Sequence, residues 1–311
     1  MNAAPYFEDV ADGPEGGAAY WLTCEDGVRM RVVHWPAKDA KGTILMFCGR
    51  TEYAEKYGLP AREYVKAGYN MVTVDWRGQG LADRLADDRG LGHVGKFQDY
   101  QLDVDAVVAF VRAEGLAQPL FLIGHSMGGC IGLRALHNHL PVNAAAFSAP
   151  MWGVAIAQPL RAGAWVLGTV GPYIGLGKMV SPGRDTTNYV EVQEFDGNEL
   201  TCDPEVFKYM RGQLAAHPDL GLGGPSINWI GEALYEMRAL HNMPSPNCPC
   251  YTGLGTAETI VSPERIHSRM ERWKGGELDE FDGAKHEIMI EVPSVRDTFY
   301  AKSIALFDAN I

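Results

Sequence analysis

One stretch in the middle of the chain, FLIGHSMGGC at residues 121–130, most constrains how the chain can fold. An apolar run stops at Gly124, and Ser126 follows two residues later. Two further glycines then lead into the helix-like sequence IGLRALHNHL. Small residues beside a serine permit the strained backbone of a sharp turn, which holds the hydroxyl out at its tip. The stretch therefore predicts a strand, a tight turn and a helix, with a nucleophilic serine at the turn.

Strands and helices alternate around this turn from residue 43 to residue 139. The connections are too long for hairpins, which indicates a mainly parallel sheet with helices on both faces, an α/β fold. An antiparallel hairpin within residues 19–35 is expected to open the fold. The predicted strands after it are 43–48, 70–75, 120–123, 144–147, 250–254 and 278–281.

The alternation is lost between residues 151 and 243, where a long stretch is rich in Trp, Gly, Ala and aliphatic residues. Its uncharged part is shorter than the roughly 20 residues that span a bilayer, and Gly171-Pro172 interrupts it. A transmembrane helix and a pair of core helices are the alternatives. We prefer a mobile, mainly helical cap, because an insertion here leaves the sheet at its carboxyl edge, where ligands bind. The predicted organisation is a core in two parts, residues 1–150 and 244–311, with a cap at 151–243.

Composition and charge limit the classes of molecule that the chain is expected to bind. A net charge of −12 over 311 residues, with no cluster of Lys and Arg, argues against binding to nucleic acid and does not favour anionic lipid surfaces. We expect a small-molecule ester or lipid as the substrate, with transient membrane contact through the cap as a possibility. The sequence leaves the oligomeric state undetermined.

The cysteines and the N-terminus bear on location. Six cysteines are scattered through the chain, unlike a disulfide framework, so we expect reduced thiols and a cytoplasmic protein. Cys248 and Cys250 have no second pair at ligand spacing, and two buried cysteines at the start of a strand explain them better than zinc. The first residues are acidic where a secretory signal would be basic.

A serine hydroxyl attacks at neutral pH only when a base removes its proton, and that base is most often a histidine oriented by a carboxylate. Where the serine lies at a turn of this kind, the acid and then the histidine follow it on loops after later strands. His286 lies in the loop between the last predicted strand and the last helix, so we predict it as the base. His93 is the alternative, although a hydrogen-bonded loop histidine explains it better.

Glu258 is the predicted acid, because it follows a strand and precedes His286. Three other carboxylates, those of Asp279, Asp282 and Glu287, lie so close to His286 in sequence that they are less suited to reach its far nitrogen.

The oxyanion that develops in acyl transfer needs two backbone N–H donors. We assign them to Met127, directly after the serine, and to Arg50, in the loop after the strand 43–48. The Arg50 guanidinium either meets an anionic substrate group or pairs with a carboxylate such as Glu52. Substrate contacts are expected from Gly49, which allows close backbone approach, and from His125, Met151 and the adjoining Trp152-Gly153.

With these residues placed, the chain resembles the monoacylglycerol lipase and lysophospholipase-like branch of the α/β-hydrolases, which also contains serine aminopeptidase-like members. The segments that carry the resemblance are GRTEY (49–53), DWRGQG (75–80), GHSMG (124–128), residues 255–263 and GAKHE (283–287). The resemblance implies a catalytic triad without a cofactor or metal, an oxyanion hole from the two loops named, and a cap that admits single-chain esters. The chain departs from relatives in having Cys48 before Gly49, where they usually have histidine, and Glu258 in place of aspartate.

The predicted function is therefore hydrolysis of esters that carry a single acyl chain, of the monoacylglycerol or lysophospholipid type. Three alternatives stay open: a general short-chain carboxylesterase, a peptidase that uses Glu191, Glu194 and Asp196 to hold a substrate amino group, and a ligand-binding protein on a hydrolase scaffold. A dehalogenase or epoxide hydrolase would need a carboxylate nucleophile where this chain has Ser126.

Overall fold

A nine-stranded sheet forms the centre of the molecule within residues 2–311, which the computed structural model describes. Its strands are β1 (Asn2–Ala3), β2 (Ala18–Thr23), β3 (Arg29–Trp35), β4 (Thr43–Phe47), β5 (Asn70–Asp75), β6 (Leu120–His125), β7 (Val142–Ser148), β8 (Cys250–Gly255) and β9 (Gly276–Phe281). The helices are α1 (Glu8–Ala11), α2 (Gly58–Lys66), α3 (Tyr100–Ala113), α4 (Met127–His137), α5 (Gln158–Val170), α6 (Tyr189–Val192), α7 (Pro204–Ala216), α8 (Ile227–Asn242), α9 (Pro263–Met270) and α10 (Pro293–Asp308).

The strand order is β1-β2-β3-β5-β4-β6-β7-β8-β9. Strands β1, β2, β3 and β5 pair antiparallel, and every pair from β5 to β9 is parallel. The α/β prediction is confirmed, including the opening hairpin, which is β2 paired with β3. The chain passes from β4 to β5 on one side and then to β6 on the other, so the order reverses beside β4. Open sheets of this kind bind their ligands in the crevice at that point.

The central strands β4, β5 and β6 are buried along their whole length, which explains why β4 and β6 are nearly continuous apolar runs rather than alternating ones. Helices cover both faces and share one large core with the sheet. In that core, Phe121 stacks on Phe307 of α10, with ring centroids 4.7 Å apart, and Phe47 meets Trp76 edge to face. The rigid core thus fixes the ends of β4 and β6, from which the loops of the candidate site leave.

Helices α5 to α8 fill the interval between β7 and β8, and the segment we interpret as a cap contributes no strand to the sheet in the described part of the chain. Helix α8 packs into the large core through Trp229 and Met237. Helix α7 instead belongs to a smaller apolar cluster with Tyr53 and Ile290. In residues 2–311, no helix combines the length and the apolar character needed to cross a bilayer.

Candidate active site

Ser126 stands between β6 and α4 with φ 49° and ψ −118°, in the left-handed region that side chains usually avoid. Its neighbours have no room for larger residues: a Cβ on Gly128 would lie 2.0 Å from the Phe47 carbonyl oxygen, and one on Gly129 would lie 2.5 Å from Pro150. The Ser126 N–H donates to the Ser148 carbonyl, 3.1 Å away. Close contact between helix and strand therefore holds the strained serine in place.

His286 and Glu258 are brought together from separate loops, with His286 Nδ1 2.6 Å from Glu258 Oε2. The other Glu258 oxygen accepts the N–H groups of Ile260 and Val261, at 2.6 and 3.0 Å. Both side chains are buried. One carboxylate oxygen of Glu258 thus bonds the backbone of its own turn and the other bonds His286. These bonds hold the longer glutamate side chain in a conformation in which its carboxylate faces the histidine.

The pKa values of this pair move in opposite directions. Burial alone would lower the pKa of His286, but the Glu258 carboxylate, helped by Glu287 and Glu52, raises it above its ordinary value. Burial would raise the pKa of Glu258, but His286 and the two N–H donors lower it below its ordinary value. The pair thus favours a charged imidazolium beside a carboxylate, as a general base requires once it has taken a proton.

The ring of His125, the residue before Ser126, links the turn to His286, since the centroids of the two imidazoles are 4.9 Å apart. His125 is fully buried, and its Nδ1 lies 3.1 Å from the Ser148 carbonyl oxygen. The His125 side chain is enclosed in this structure, and a substrate contact from it stays a prediction. The ring is enclosed between β7 and the carboxylates of Glu52 and Glu287 rather than lining a binding surface.

A buried ionic cluster lies behind the serine. His125 Nε2 is 3.4 Å from Glu52 Oε1 and 3.3 Å from Glu287 Oε2. Lys56 Nζ donates to both carboxylates and is 2.6 Å from Glu287 Oε1. The three acid and imidazole groups are close enough to hold a metal ion, but the Lys56 ammonium already supplies the positive charge between the two carboxylates. Sequence analysis missed this cluster because its members come from distant segments.

The loop after β4 differs from expectation in two respects. The Gly49 N–H donates to Glu52 Oε2, and a Cβ on Gly49 would lie 2.8 Å from that oxygen. The need for glycine there comes from Glu52 and not from a substrate. The Arg50 guanidinium does not pair with Glu52 but donates to the Gly223 carbonyl of the cap, at 2.8 and 2.9 Å.

The proposed oxyanion donors, the N–H groups of Arg50 and Met127, come from adjacent positions. Strand β4 pairs in parallel with β6, with Phe47 opposite Gly124. Across the described residues, neither N–H has a hydrogen-bond acceptor in the loops, caps or side chains. Two free donors at the ends of neighbouring strands suit an oxyanion.

The DWRGQG segment braces this loop, a role that sequence analysis did not assign. Trp76 Nε1 donates to the Cys48 carbonyl at 2.9 Å, and Gln79 Nε2 donates to the Gly49 carbonyl at 2.8 Å. The Cys48 thiol turns away to the Val74 carbonyl. The loop that precedes Arg50 is therefore held by side chains of the next strand's loop, without the histidine found in relatives.

Residues after β7 support the serine turn from the other side. The Met151 N–H donates to the Ser126 carbonyl at 2.8 Å. Trp152 packs in the core against Phe147, and its Nε1 donates to Gly129. A Cβ on Gly153 would lie 2.4 Å from the Arg265 side chain. The Trp152 side chain and Gly153 thus have packing roles, and a substrate contact from Met151, Trp152 or Gly153 stays a prediction.

The alternative triad members are engaged elsewhere. His93 Nδ1 lies 2.8 Å from Ser226 Oγ, which fits a hydrogen-bonded loop histidine. Asp279 accepts from Tyr251 and Lys302, and Asp282 accepts from Thr256. Of the nearby carboxylates, only Glu258 bonds His286 in the described part of the chain.

The candidate site is closed in this structure. Ser126, Glu258 and His286 are only 9%, 8% and 4% exposed. The three side chains are thus largely shielded from solvent, and a mobile cap over them stays a prediction.

Comparisons with known proteins give one family and a consistent set of relatives. The family described as "Serine aminopeptidase, S33" matches residues 38–293. Lysophospholipase L2 of Escherichia coli is 28% identical over 93% of this chain and 87% of that protein. A probable lysophospholipase L2 of Haemophilus influenzae is 25% identical over 95% of each chain.

Among solved structures, a soluble variant of monoglyceride lipase from Saccharomyces cerevisiae superimposes with a TM-score of 0.74 over 99% of both chains. At 21% identity this likeness concerns the fold alone.

Proposed function

Since the chain belongs to the serine aminopeptidase S33 family of the α/β-hydrolase superfamily, we propose that it is a serine hydrolase that cleaves carboxylic esters of single acyl chains, of the monoacylglycerol or lysophospholipid type. The observation that carries the proposal is the buried Glu258–His286 pair beside a serine turn. Relatives named as lysophospholipases that match this chain over most of their length support ester hydrolysis.

The proposed chemistry proceeds in two steps. Ser126 Oγ attacks the ester carbonyl while His286 takes the proton of the hydroxyl, and Glu258 stabilises the imidazolium that forms. The N–H groups of Arg50 and Met127 hold the oxyanion, and the intermediate collapses as His286 protonates the leaving alcohol. A water molecule, activated by the same histidine, then attacks the acyl ester on Ser126 and releases the fatty acid.

The test combines labelling with kinetics. A fluorophosphonate probe is expected to label the wild type and not Ser126→Ala, and His286→Ala is expected to lose roughly 10³-fold or more in turnover. Ser294→Ala and His267→Ala, both outside the site, are the matched controls. Unchanged labelling or turnover in either site variant would remove the proposal.

A substrate screen separates the remaining alternatives. Esters of p-nitrophenol with increasing chain length, monoacylglycerol, lysophosphatidylcholine and aminopeptidase substrates are compared. Activity on short esters alone would indicate a general carboxylesterase, and saturable binding without hydrolysis would indicate a binding protein. Aminopeptidase substrates belong in the screen because the matching family is described as a serine aminopeptidase family. The three acidic residues considered for that role are exposed on the cap, and Glu194 lies 3.9 Å from Arg211.

We also place the protein in the cytoplasm, with transient contact between its cap and lipid. Large apolar side chains are exposed along α5 and the turns after it: Leu160, Val166, Val170, Tyr173, Ile174 and Met179. A patch of this kind fits a lipid surface. The net charge of −12 favours a neutral or zwitterionic surface over an anionic one.

A further inference from the structure

The Arg50 guanidinium is a partly buried cation without a counter-charge. No carboxylate in residues 2–311 lies within 4.0 Å of it. Its protein partners are the Gly223 carbonyl oxygen and the Trp229 ring, whose centroid is 5.3 Å from Cζ. Burial lowers the pKa of Arg50 to about 10. Burial of a cation with so few partners costs free energy, unless a ligand supplies the missing negative charge.

Two fully buried arginines, Arg31 and Arg269, have compensation that Arg50 lacks. Arg31 pairs with Asp75 and Glu55, both buried. Arg269 has no acidic partner but donates to the carbonyls of Leu240 and Met243 at the end of α8, where the helix macrodipole favours a cation. Arg50 has neither a carboxylate nor a helix end.

Further positive charge comes from the cap. Arg184 lies beside Gly224, where an added Cβ would be 2.8 Å from the Arg184 side chain, and it adds to the effect of burial in lowering the pKa of Arg50. Lys178 precedes Met179, whose carbonyl accepts the Ile227 N–H at 2.9 Å. Neither cation forms an ion pair within 4.0 Å in the part of the chain described.

Backbone hydrogen bonds hold these residues at one place. The Gly92 N–H donates to the Gly224 carbonyl at 2.9 Å, and the Ser226 N–H donates to the Gly92 carbonyl at 2.8 Å. The Gly224 N–H donates in turn to the Asp185 carbonyl at 2.7 Å, next to Arg184. The Asp185 carboxylate accepts the Thr187 N–H and does not bridge to these cations.

The Arg50 loop lies beside the serine turn, and the Arg50 side chain leads from that loop to Gly223. The loop that carries Arg50 contacts the first turn of α4, because a Cβ on Gly128 would lie 2.6 Å from the Cys48 carbonyl oxygen. The chain of bonds from the Arg50 backbone nitrogen to Cζ is as long as that from the ester carbon of a 1-acyl lysophospholipid to its phosphorus. Because the two chains are equal in number of bonds, the proposal below assigns the oxyanion to the Arg50 N–H and the phosphate to the side chain of the same residue.

We propose that Arg50, with Arg184 and Lys178, forms a binding site for the phosphate of a lysophospholipid head group, which makes phosphate-bearing lipids preferred over neutral monoacylglycerols. The planar guanidinium keeps N–H groups free after its bonds to Gly223, and such groups suit phosphate oxygens. This inference rests on the proposed function, because it names the head group of the same ester substrate.

The test uses two substrates that differ only by the phosphate, 1-acylglycerol and 1-acylglycerol 3-phosphate with the same acyl chain. We expect the ratio of their kcat/KM values to favour the phosphate in the wild type and to fall about tenfold in Arg50→Gln. Arg184→Gln, at an exposed position, is expected to lower the ratio about threefold, and Arg50→Lys to retain part of it. Lys208→Gln makes the same change of net charge on an exposed helix face and should leave the ratio unchanged.

Several outcomes would overturn the inference. A wild-type ratio at or below unity would do so, as would equal losses on both substrates in Arg50→Gln with no change of ratio in Arg184→Gln. Competition by inorganic phosphate as strong as that by glycerol 3-phosphate would indicate a site for free anions rather than for head groups.

A binding measurement separates this inference from the proposed function. Calorimetric titration of Ser126→Ala with the two lipids does not depend on turnover. Tighter binding of the phosphate-bearing lipid there, with no hydrolysis by the wild type, would remove the proposed function and leave the anion site. Equal binding of the two lipids, with hydrolysis of both by the wild type, would remove the anion site and leave the proposed function.

Discussion

The charge on Glu258 controls the titration of His286, because the carboxylate opposes the effect of burial and raises the pKa of the imidazole. Only the neutral imidazole accepts the serine proton, so activity is expected to fall as pH drops through that raised pKa. In Glu258→Gln the charge is gone, so we expect the acid limb of kcat/KM against pH to move to lower pH. Turnover should fall by roughly 10³-fold or more, because the ring is no longer oriented.

Asp282→Asn is the matched control, since Asp282 bonds Thr256 and not the histidine. We expect this variant to keep both the acid limb of the pH profile of kcat/KM and the turnover of the wild type. An acid limb that stays in place in Glu258→Gln would mean that another group determines the titration.

Chain order was enough to select Ser126, Glu258 and His286 as candidates, because acyl transfer needs these residue types and an α/β-hydrolase fold places them in loops after particular strands. It could not reveal the cluster of Lys56, Glu52 and Glu287. Lys56 and Glu287 are 231 positions apart, and each alone is indistinguishable from a surface charge. Only the fold shows that they are buried together behind the serine turn.

At the scale of elements, strand prediction succeeded where burial makes a strand continuously apolar. Strand β5 has the predicted bounds, and β4 and β6 differ by one or two residues at their ends. Helices α6 and α7 were not predicted, because they lie where the apolar pattern is irregular and bury one side in the smaller cluster. Strand β1 and helix α1 are too short to leave a pattern.

The brace between the loops after β4 and β5 leads to a prediction about the oxyanion hole. Gln79 Nε2 donates to the Gly49 carbonyl at 2.8 Å and to the Glu52 carbonyl at 3.2 Å. In Gln79→Met the side chain keeps its approximate size but loses both bonds, so the Arg50 N–H is held less firmly. We expect kcat to fall about tenfold with little change in KM, because a misplaced donor affects the transition state most.

Gln101→Met is the control, because that partly buried amide bonds the Ile131 carbonyl on α4 and not the loop. Steady-state kinetics with one soluble ester, together with thermal unfolding of each variant, gives the comparison. A rise in KM at constant kcat in Gln79→Met would contradict a role in oxyanion binding.

At the scale of the whole molecule, the segment that we interpret as a cap, residues 151–243, carries most of the large apolar side chains that are exposed. The sequence indicated an insertion at the carboxyl edge of the sheet, because the βα alternation stops after β7. It did not reveal the contacts that hold this segment to the rest of the molecule, among them α8 in the large core, α7 in the smaller cluster, and the bonds from Arg50 to Gly223. Those contacts join residues far apart in the chain, so local pattern carries no signal for them.

The proposed contact between cap and lipid predicts a difference between substrates in an interface and substrates in solution. Tyr173 and Ile174 are 89% and 64% exposed. Replacing both with serine removes apolar surface without opening the core. We expect about tenfold weaker binding to phosphatidylcholine vesicles and lower activity on long-chain lipid in micelles, with unchanged turnover of a soluble short-chain ester.

Ile311→Ser, at an apolar residue that is 63% exposed at the chain end, is the matched control. Equal loss on the soluble and the micellar substrate would show that the cap residues act on the site itself and not on the lipid surface.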